Sequence, residues 1–392
     1  MPRPASQLLA GRLQAFTTTI FAEMSELATA TGSLNLGQGF PDTDGPPALT
    51  AIATEAILSG RNQYPPSPGI PELRRAVAEH QATWYGLEYS PDTEVMVTTG
   101  ATEAIAATLL ALCEPGDEVI MFEPSYDSYA ACASMAGATV KLVRLHPPDW
   151  TFVAEELAAA IGPRTRLILL NTPHNPTGKV FSRAELGLIA DLCLEHDLLA
   201  ISDEVYEHLI FEGEHVPLAT LPGMRDRTVS ISSGGKTFSF TGWKVGWIAS
   251  SAPVVAAVRA AKQFLTYTSG EPFQLAIAHG LGLPRSDIEQ LGHALAAKRD
   301  LLCSGLAELG YTVYRPAATY FATTDISHVA PGHTALSFCR ALPEACGVVA
   351  IPSSVFYDPN DPTAGQTLVR WAFCKQDTVL RDALTRLASW RI

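Results

Sequence analysis

The chain has 392 residues, of which 47% are hydrophobic and 17% are charged, and its formal net charge is −13 at pH 7. Such a composition is typical of a globular protein with a substantial core and excludes an intrinsically disordered chain. The excess of acidic residues argues against broad nucleic-acid binding, which requires a basic surface. The length predicts two domains of unequal size.

Secretion, membrane insertion and metal binding are not indicated by any pattern along the sequence. The first 24 residues mix Arg3, Arg12 and Glu23 with apolar residues, and no stretch approaches the roughly 20 apolar residues that span a bilayer. The seven cysteines include no Cys-x-x-Cys pair, and the ten histidines are not clustered at ligand spacing. We therefore expect a cytoplasmic protein with reduced thiols, no membrane partner and no metal.

The first two thirds of the chain predict an α/β fold. Residues 35–69 are rich in Gly and Pro and are predicted to form an extended crossing segment. Short apolar runs then predict strands at 94–98, 117–122, 139–145, 167–170, 199–201, 228–231 and 245–249, and helical patterns predict helices at 102–112 and 182–195. Ser182 and Glu185 stand at the two positions of a capping box at the start of the second helix. This alternation predicts a mainly parallel sheet sandwiched by helices.

The last hundred residues have a different pattern. They predict one long amphipathic helix at 285–310, short strands at 311–314, 320–323, 348–350 and 368–373, and a terminal helix at 377–390. We therefore expect a large domain at residues 46–284. A smaller α+β domain is expected to combine the N-terminal segment 1–45 with residues 285–392.

Four polar motifs stand at the ends of predicted strands. They are Gly100-Ala-Thr-Glu103, Asn171-Thr-Pro-His-Asn-Pro-Thr-Gly178, Asp203-Glu-Val-Tyr206 and Ser232-Ser-Gly-Gly-Lys236. In an open parallel sheet, ligands bind at the carboxyl ends of the strands, where loops meet helix N-termini. Each motif alone has an ordinary explanation as a turn or a helix cap. Together they predict one shared site.

In order and spacing, these motifs resemble the class I/II aminotransferases of pyridoxal 5′-phosphate (PLP) fold type I, and the similarity runs over nearly the whole chain. Further matching motifs are Asn35-Leu-Gly-Gln-Gly-Phe-Pro-Asp42, Asn62-Gln-Tyr64, Glu123-Pro-Ser-Tyr126-Asp, Thr241-Gly-Trp-Lys-Val-Gly-Trp247 and Val369-Arg-Trp371. The resemblance implies a large PLP-binding domain and a smaller domain built from both chain ends. The subgroups that the chain resembles most are actinobacterial N-succinyldiaminopimelate aminotransferase and the kynurenine aminotransferase and glutamine transaminase enzymes.

The resemblance also implies roles around the cofactor ring. Lys236 would hold PLP as a Schiff base and shuttle the proton between the substrate Cα and the cofactor, a role that suits an amine whose pKa shifts readily. Asp203 would pair with the pyridine nitrogen, since a protonated ring is the better electron sink. Asn175 and Tyr206 match the residues that hydrogen-bond the 3′-oxygen, and Tyr126 matches the aromatic residue that stacks on the ring.

The phosphate and the substrate carboxylate have their own matching residues. The phosphate contacts implied by the resemblance are Gly100, Ala101 and Thr102 at a helix N-terminus, the side chains of Ser233 and Lys244, and Tyr64 from the neighbouring subunit of a homodimer. Many relatives have Arg where Lys244 stands. The lysine keeps the positive charge, but it does not provide the bidentate phosphate contact of a guanidinium. The substrate α-carboxylate would be bound by Arg370, whose planar guanidinium grips it in two places, with Gly39 and Asn175 beside it.

The function implied is a PLP-dependent aminotransferase that moves an amino group between an amino acid and a 2-oxo acid such as 2-oxoglutarate. The first candidate donor, on resemblance alone, is N-succinyl-LL-2,6-diaminopimelate, in lysine and cell-wall precursor synthesis. Kynurenine, glutamine or methionine are alternative donors, and β-elimination of cysteine conjugates is an alternative reaction. All of these need the same lysine, aspartate and arginine, so the motifs leave the choice open. A PLP-sensing regulator is disfavoured because the similarity begins by about residue 35, which leaves no room for a DNA-binding domain before it.

Overall fold

The computed structural model describes residues 8–16 and 19–390 of the chain. The predicted small domain also includes residues 1–7, 17–18 and 391–392, which lie outside these ranges. None of the helices within the described ranges is long and apolar enough to cross a membrane.

Strands and helices alternate along much of the chain. The strands are β1 (Leu34–Asn35), β2 (Val95–Thr99), β3 (Glu118–Glu123), β4 (Thr139–Arg144), β5 (Thr165–Asn171), β6 (Leu199–Asp203), β7 (Thr228–Ser233), β8 (Val245–Ala249), β9 (Thr312–Tyr314), β10 (Phe321–Asp325), β11 (Val348–Val349), β12 (Ile351–Pro352) and β13 (Leu368–Ala372). The α-helices are α1 (Ile20–Thr31), α2 (Pro47–Leu58), α3 (Pro71–Tyr85), α4 (Gly100–Leu112), α5 (Asp127–Met135), α6 (Ala154–Ala160), α7 (Arg183–Glu195), α8 (Gly234–Thr237), α9 (Ala252–Lys262), α10 (Glu271–Leu281), α11 (Arg285–Glu308), α12 (Ala335–Cys346) and α13 (Asp377–Leu387). Short 3-10 turns lie at Gly11–Leu13, Leu218–Thr220, Thr241–Trp243 and Ser353–Phe356.

A seven-stranded sheet forms the centre of the larger part of the molecule. Its strand order is β2-β8-β7-β6-β5-β3-β4, and all neighbours are parallel except β8, which runs antiparallel to both β2 and β7. The predicted mainly parallel α/β architecture is confirmed, and every predicted strand overlaps an observed one. The capping box at Ser182 and Glu185 is present at the start of α7, where each side chain bonds the other residue's backbone N–H.

The predicted extended segment at 35–69 is wrong over α2, which occupies Pro47–Leu58. The density of Pro and Gly suggested extended backbone, but proline is well tolerated in the first turn of a helix, where its missing N–H costs no bond. Beyond it, Leu49, Ala53 and Ala56 recur at helical spacing and are all buried. The helical periodicity therefore prevails over the local turn signals.

The C-terminal part contains a second, four-stranded antiparallel sheet with the order β12-β13-β10-β9. The predicted strand at 348–350 is divided into β11 and β12, and β11 pairs in parallel with β1 near the N-terminus. Through this pairing, the N-terminal segment packs with the C-terminal part of the chain. One apolar core lies around the smaller sheet and three lie around the larger sheet and its helices. The domain division at residues 46 and 284 stays a prediction.

Strand register brings the polar motifs to one edge of the large sheet. Asn171 at the end of β5 is directly opposite Asp203 at the end of β6. On the other side of β7, Ser233 is opposite Gly246. In the smaller sheet, Arg370 is the central residue of β13 and is paired with both β10 and β12.

Candidate active site

A cavity of about 450 Å³ lies at the carboxyl ends of β5, β6 and β7, between the two sheets. This volume is within the range of about 300–1,000 Å³ that is usual for small-molecule sites. The predicted site residues that line it are Gly39, Gly100, Ala101, Thr102, Tyr126, Asn175, Asp203, Tyr206, Ser233, Lys236, Lys244 and Arg370. The structure thus brings together all the predicted site residues but one.

Tyr64 is the predicted residue that does not line the cavity. Its side chain is 87% exposed, and its ring meets the edge of Tyr267 with the centroids 6.0 Å apart. The role implied for Tyr64 concerns the site of a neighbouring subunit, so that role stays a prediction.

Asp203 provides a buried carboxylate at the floor of the cavity. It accepts a hydrogen bond from the Tyr129 hydroxyl at 2.6 Å and one from the Val205 backbone N–H at 3.3 Å. No basic side chain within the described ranges forms a salt bridge with it, and burial raises the pKa of Asp203 to about 6. An unpaired buried carboxylate is costly unless a cation joins it, so the site suits a protonated ring nitrogen.

The cost of this charge leads to a testable prediction for the cofactor-free protein. The pKa of a carboxyl such as Asp203 is 3.8 in an unfolded chain and about 6 in this site, so its ionisation opposes folding increasingly as the pH rises through that window. Relative to wild type, the Asp203→Asn variant should therefore gain about 2 kcal/mol in free energy of unfolding between about pH 4.5 and about pH 8. Urea unfolding at the two pH values measures this, and a difference that does not change with pH would contradict it.

Tyr129 was not among the predicted site residues, although it bonds Asp203 directly. It lies three residues after Tyr126 at the start of α5, so both rings face the same side of the helix. Their centroids are 5.6 Å apart in an edge-on arrangement. The helical spacing from Tyr126 was the signal that could have identified it.

An anion-binding corner lies at the N-terminus of α4. The helix begins at Gly100, which has a φ of +75°, and the first-turn N–H groups of Ala101 and Thr102 have no partner within the helix. A methyl group built on Gly100 would lie 3.4 Å from the Lys244 ammonium, so a cation lies beside the positive end of the helix dipole. With Ser233 also lining the cavity, these groups could hold a phosphate.

Lys236 is held in the short helix α8, directly after β7. Its Nζ donates a hydrogen bond to the Tyr320 hydroxyl at 3.1 Å, and it lies 5.8 Å from the ring centres of both Tyr206 and Tyr320. Removal from bulk water lowers the pKa of the Lys236 ammonium to about 8. A substantial fraction of the amine is therefore neutral near physiological pH, as a nucleophile or a base requires.

Arg370 provides a buried cation on the opposite side of the cavity. Its guanidinium donates to the Asn175 amide oxygen at 3.0 Å and to the Gly37 carbonyl at 2.8 Å, and it stacks 4.1 Å from the ring centre of Phe321. Its Nε has no partner, and no carboxylate forms a salt bridge with it in the part of the chain that the structure describes. Burial lowers the pKa of Arg370 to about 10. A substrate carboxylate would compensate this charge.

Two asparagines connect this cation to the strand ends. The Asn171 amide group donates to the Asp203 carbonyl at 2.8 Å, while its oxygen accepts the Asn175 backbone N–H at 2.7 Å. Asn175 is thereby fixed with its side-chain oxygen towards Arg370, and its amide NH₂ remains available to a ligand. Asn171 was part of a predicted motif, but its structural role was not predicted.

One wall of the cavity is the segment Gly37–Phe40, which three side chains hold through its backbone carbonyls. Arg370 bonds the Gly37 carbonyl at 2.8 Å, Tyr320 bonds the Gly39 carbonyl at 2.6 Å, and Lys375 bonds the Phe40 carbonyl at 2.8 Å. Glycine at position 39 allows this close approach, because an added Cβ would lie 2.4 Å from the Phe321 ring and would force that ring to move. Tyr320 and Lys375 were not predicted from the sequence, since they belong to none of the matching motifs.

A buried histidine pair contacts α8, the short helix that contains Lys236. His80 and His208 share a hydrogen bond between their Nε2 atoms at 2.8 Å, and the other ring nitrogen of His208 bonds the Thr237 hydroxyl at 2.8 Å. With Glu207 they form the one group close enough to hold a metal ion within residues 8–16 and 19–390. The Glu207 carboxylate already accepts the Tyr85 hydroxyl at 2.7 Å. The sequence did not predict this cluster because 128 residues separate the two histidines.

Comparison with known proteins agrees with this geometry. The sequence model of the family described as "Aminotransferase class I and II" matches residues 31–387. The chain therefore belongs to the class I and II aminotransferases, and it is a PLP-dependent enzyme of fold type I.

Individual relatives cover almost the whole chain. It is 48% identical to a probable N-succinyldiaminopimelate aminotransferase, DapC, of Mycobacterium tuberculosis, over 96% of this chain and 97% of that protein. It is 40% identical to the methionine aminotransferase of Escherichia coli, over 96% of this chain and 97% of that protein. The solved structure of the N-succinyldiaminopimelate aminotransferase from Mycobacterium tuberculosis superimposes with a TM-score of 0.95 at 48% identity, covering 97% of this chain and 99% of that one.

Proposed function

We propose that this enzyme transfers the amino group of N-succinyl-LL-2,6-diaminopimelate to 2-oxoglutarate, as a step in lysine and cell-wall precursor synthesis. The observation that carries the choice of donor is the 48% identity to DapC, which extends over 96% of the chain. The cavity supports the reaction class, because it combines a half-buried lysine, a buried carboxylate and a buried guanidinium without a carboxylate partner. These three groups are the ones that amino transfer on PLP requires.

The cofactor fits the residues that line the cavity. PLP supplies a carbonyl to which an amine can become attached and a conjugated ring that accepts electrons from the substrate Cα. We propose that Lys236 attaches it, that the N-terminus of α4 with Ser233 and Lys244 binds its phosphate, and that Asp203 keeps a proton on its ring nitrogen. Asn175 and Tyr206 would donate hydrogen bonds to the ring oxygen, and Tyr126 would stack on the ring.

The remaining groups bind the substrate and move its proton. Arg370 has its Nε free for the α-carboxylate, while its bonds to Asn175 and Gly37 prevent the guanidinium from rotating. This contact fixes which bond at Cα points towards Lys236. Because the pKa of Lys236 is lowered to about 8, its amine can take the proton from Cα and would deliver it to the cofactor. With its amino group left on the cofactor and water supplying the oxygen, the amino acid would leave as a 2-oxo acid.

A second candidate donor is an uncharged one such as methionine or kynurenine. The aromatic residues Phe21, Phe40, Phe321 and Tyr126 line the cavity, and the ring centres of Phe21 and Phe321 lie 5.1 and 4.1 Å from the Arg370 guanidinium. The only cationic side chains that line the cavity, among residues 8–16 and 19–390, are Lys236, Lys244 and Arg370, and each already has a proposed role. A donor with a second carboxylate would therefore need a cation from outside this set, whereas an apolar side chain would not. The 40% identity to a methionine aminotransferase agrees with this alternative.

A panel of amino donors with 2-oxoglutarate distinguishes the candidates. N-succinyl-LL-2,6-diaminopimelate, methionine, kynurenine, glutamine and a cysteine conjugate are compared by kcat/KM, and glutamate formation and pyruvate release are measured separately. The proposal expects glutamate to form fastest from the succinylated donor. Preference for methionine or kynurenine would replace the proposed donor but keep the reaction. Release of pyruvate without glutamate from the cysteine conjugate would indicate a β-lyase.

We also propose a cytoplasmic homodimer in which Tyr64 reaches the phosphate of the neighbouring site. Four large apolar residues are exposed in two segments of one chain: Tyr64, Phe264, Leu265 and Tyr267. The Thr266 hydroxyl, in the second segment, is 3.0 Å from the hydroxyl of Thr99, the residue before α4, so this apolar surface lies beside the proposed phosphate-binding corner. Apolar surface of this kind favours burial against a partner. Sedimentation equilibrium would give twice the chain mass of 41.9 kDa for a dimer and that mass itself for a monomer.

A further inference from the structure

We propose that Tyr320 is a positioning residue for Lys236. Its hydroxyl holds the free lysine amine at the place from which the amine takes the substrate's α-proton. The proposal rests on the role of Lys236 proposed above, and it adds a residue that belongs to none of the matching motifs.

The hydrogen bonds around Tyr320 have a defined direction. The Lys236 Nζ donates to the Tyr320 hydroxyl oxygen at 3.1 Å, and that hydroxyl is 2.6 Å from the Gly39 carbonyl oxygen. A carbonyl only accepts, so the single hydroxyl hydrogen is directed to Gly39. The oxygen lone pairs of Tyr320 therefore face the lysine, and the amine must be the donor.

The hydroxyl is held in place by the packing of its ring. Tyr320 is 1% exposed, and its ring centre lies 5.4 Å from Tyr206 and 4.8 Å from Phe321, edge-on in both contacts. The preceding residue, Thr319, has a φ of +71°, which non-glycine residues adopt rarely and only where surrounding contacts impose it. The backbone N–H of Phe373 bonds the Tyr320 carbonyl at 2.9 Å. The acceptor thus has a fixed position before any substrate arrives.

Tyr320 acts through the lysine and does not exchange the proton itself. Burial raises the pKa of Tyr320 well above its ordinary value, so its hydroxyl stays protonated at any physiological pH. A neutral amine has two hydrogens and one lone pair, and donation of one hydrogen to Tyr320 leaves the lone pair free to accept a proton. Restricting the rotation of the long lysine side chain in this way keeps the base close to Cα, which favours proton transfer.

The same hydroxyl connects the base to the substrate-binding wall. Gly39 lies in the segment Gly37–Phe40, and Arg370 bonds the Gly37 carbonyl in that segment at 2.8 Å. A carboxylate bound against this wall therefore contacts the same backbone that orients the Tyr320 hydroxyl. The carboxylate site and the lysine amine are thus connected through two hydrogen bonds of Tyr320 and the short backbone segment between Gly37 and Gly39.

The Tyr320→Phe variant removes the hydroxyl and keeps the ring. We expect kcat to fall by about 10- to 100-fold, because the hydrogen bond is lost to an amine that becomes charged as it takes the proton, with KM for the amino donor changed far less. The kinetic isotope effect on kcat with an α-deuterated donor should increase, because proton transfer becomes slower relative to the other steps. Tyr311→Phe is the matched control, since Tyr311 is also buried and its hydroxyl has no hydrogen-bond partner within the described residues.

A second measurement uses the cofactor-free protein and does not depend on activity. The pH dependence of acylation at Lys236, followed by peptide mass spectrometry, gives the pKa of its amine. A hydrogen-bond acceptor stabilises the ammonium more than the amine, so Tyr320→Phe should lower this pKa below the wild-type value of about 8. Tyr311→Phe should leave it unchanged.

The outcomes separate this proposal from the proposed function. An unchanged isotope effect together with an unchanged Lys236 pKa would overturn the role of Tyr320, as would equal effects in the Tyr311→Phe control. Failure of the assignment of Lys236 would be seen in the wild type, because borohydride reduction of the holoenzyme would then attach the cofactor to another lysine. The role of Tyr320 can fail while the adduct remains on Lys236.

Discussion

Replacement of Lys236 by alanine is expected to lower kcat by at least about 10⁴-fold with every amino donor that the enzyme accepts. A positioned acid–base group contributes about 10²- to 10⁴-fold to a rate, and this variant also loses the covalent attachment of the cofactor. Binding of PLP itself should persist, because the corner formed by α4 and Lys244 does not depend on the lost amine. Steady-state kinetics and equilibrium dialysis with PLP measure the two effects.

Lys179→Ala provides the control for this substitution. Lys179 is a buried lysine that forms an ion pair with Glu185 at 2.7 Å and does not line the cavity. Its loss should affect stability and leave kcat of the folded protein near the wild-type value. Activity above about 1% of wild type in Lys236→Ala would exceed what the loss of an acid–base group leaves and would contradict the assigned role.

Replacement of Arg370 by lysine is expected to lower kcat/KM for the amino donor by about 100-fold, although the charge is retained. The guanidinium bonds Asn175 and Gly37 and still has its Nε free. An ammonium is a point charge with three donors and cannot make these contacts and bind a carboxylate in two places. Loss of one or two charge-assisted hydrogen bonds corresponds to about this factor.

Arg299→Lys is the matched control for this second variant. Arg299 is 4% exposed, and its ion pairs are with Glu212 and Asp300, both at the protein surface and outside the cavity. The control should retain kcat/KM within about threefold, because substitutions that do not touch the site change stability rather than catalysis. If Arg370→Lys lost no more kcat/KM than Arg299→Lys, the carboxylate would have to bind elsewhere in the cavity.

The parts of the site that could be predicted from sequence are those tied to strand ends. The positions of Asn175, Asp203 and Lys236 follow from the topology, because parallel strands end at one edge of a sheet and each motif follows a buried apolar run. Arg370 was predicted from its motif alone. In the structure, Arg370 lies at the centre of β13, which pairs with β10 and β12, and the smaller sheet thereby places its side chain in the cavity.

The parts that could not be predicted depend on packing between distant segments. Tyr320 and Lys375 bond carbonyls that lie 281 and 335 residues earlier in the chain, and nothing local to either residue indicates such a partner. The hydrogen bond between His80 and His208 could not be predicted for the same reason. The error at α2 has a different origin. The high density of proline and glycine in residues 35–69 favoured extended backbone, and the short helical pattern of α2 is recognisable only from which of its residues are buried.

The central claim, that Lys236 carries the cofactor, is tested most directly by reduction of the holoenzyme with borohydride followed by peptide mapping. We expect a yellow protein whose visible band disappears on reduction. A single pyridoxyl group should then be found on the peptide that contains Lys236. A pyridoxyl group on any other lysine, or a protein that takes up PLP without forming a reducible bond, would contradict the claim.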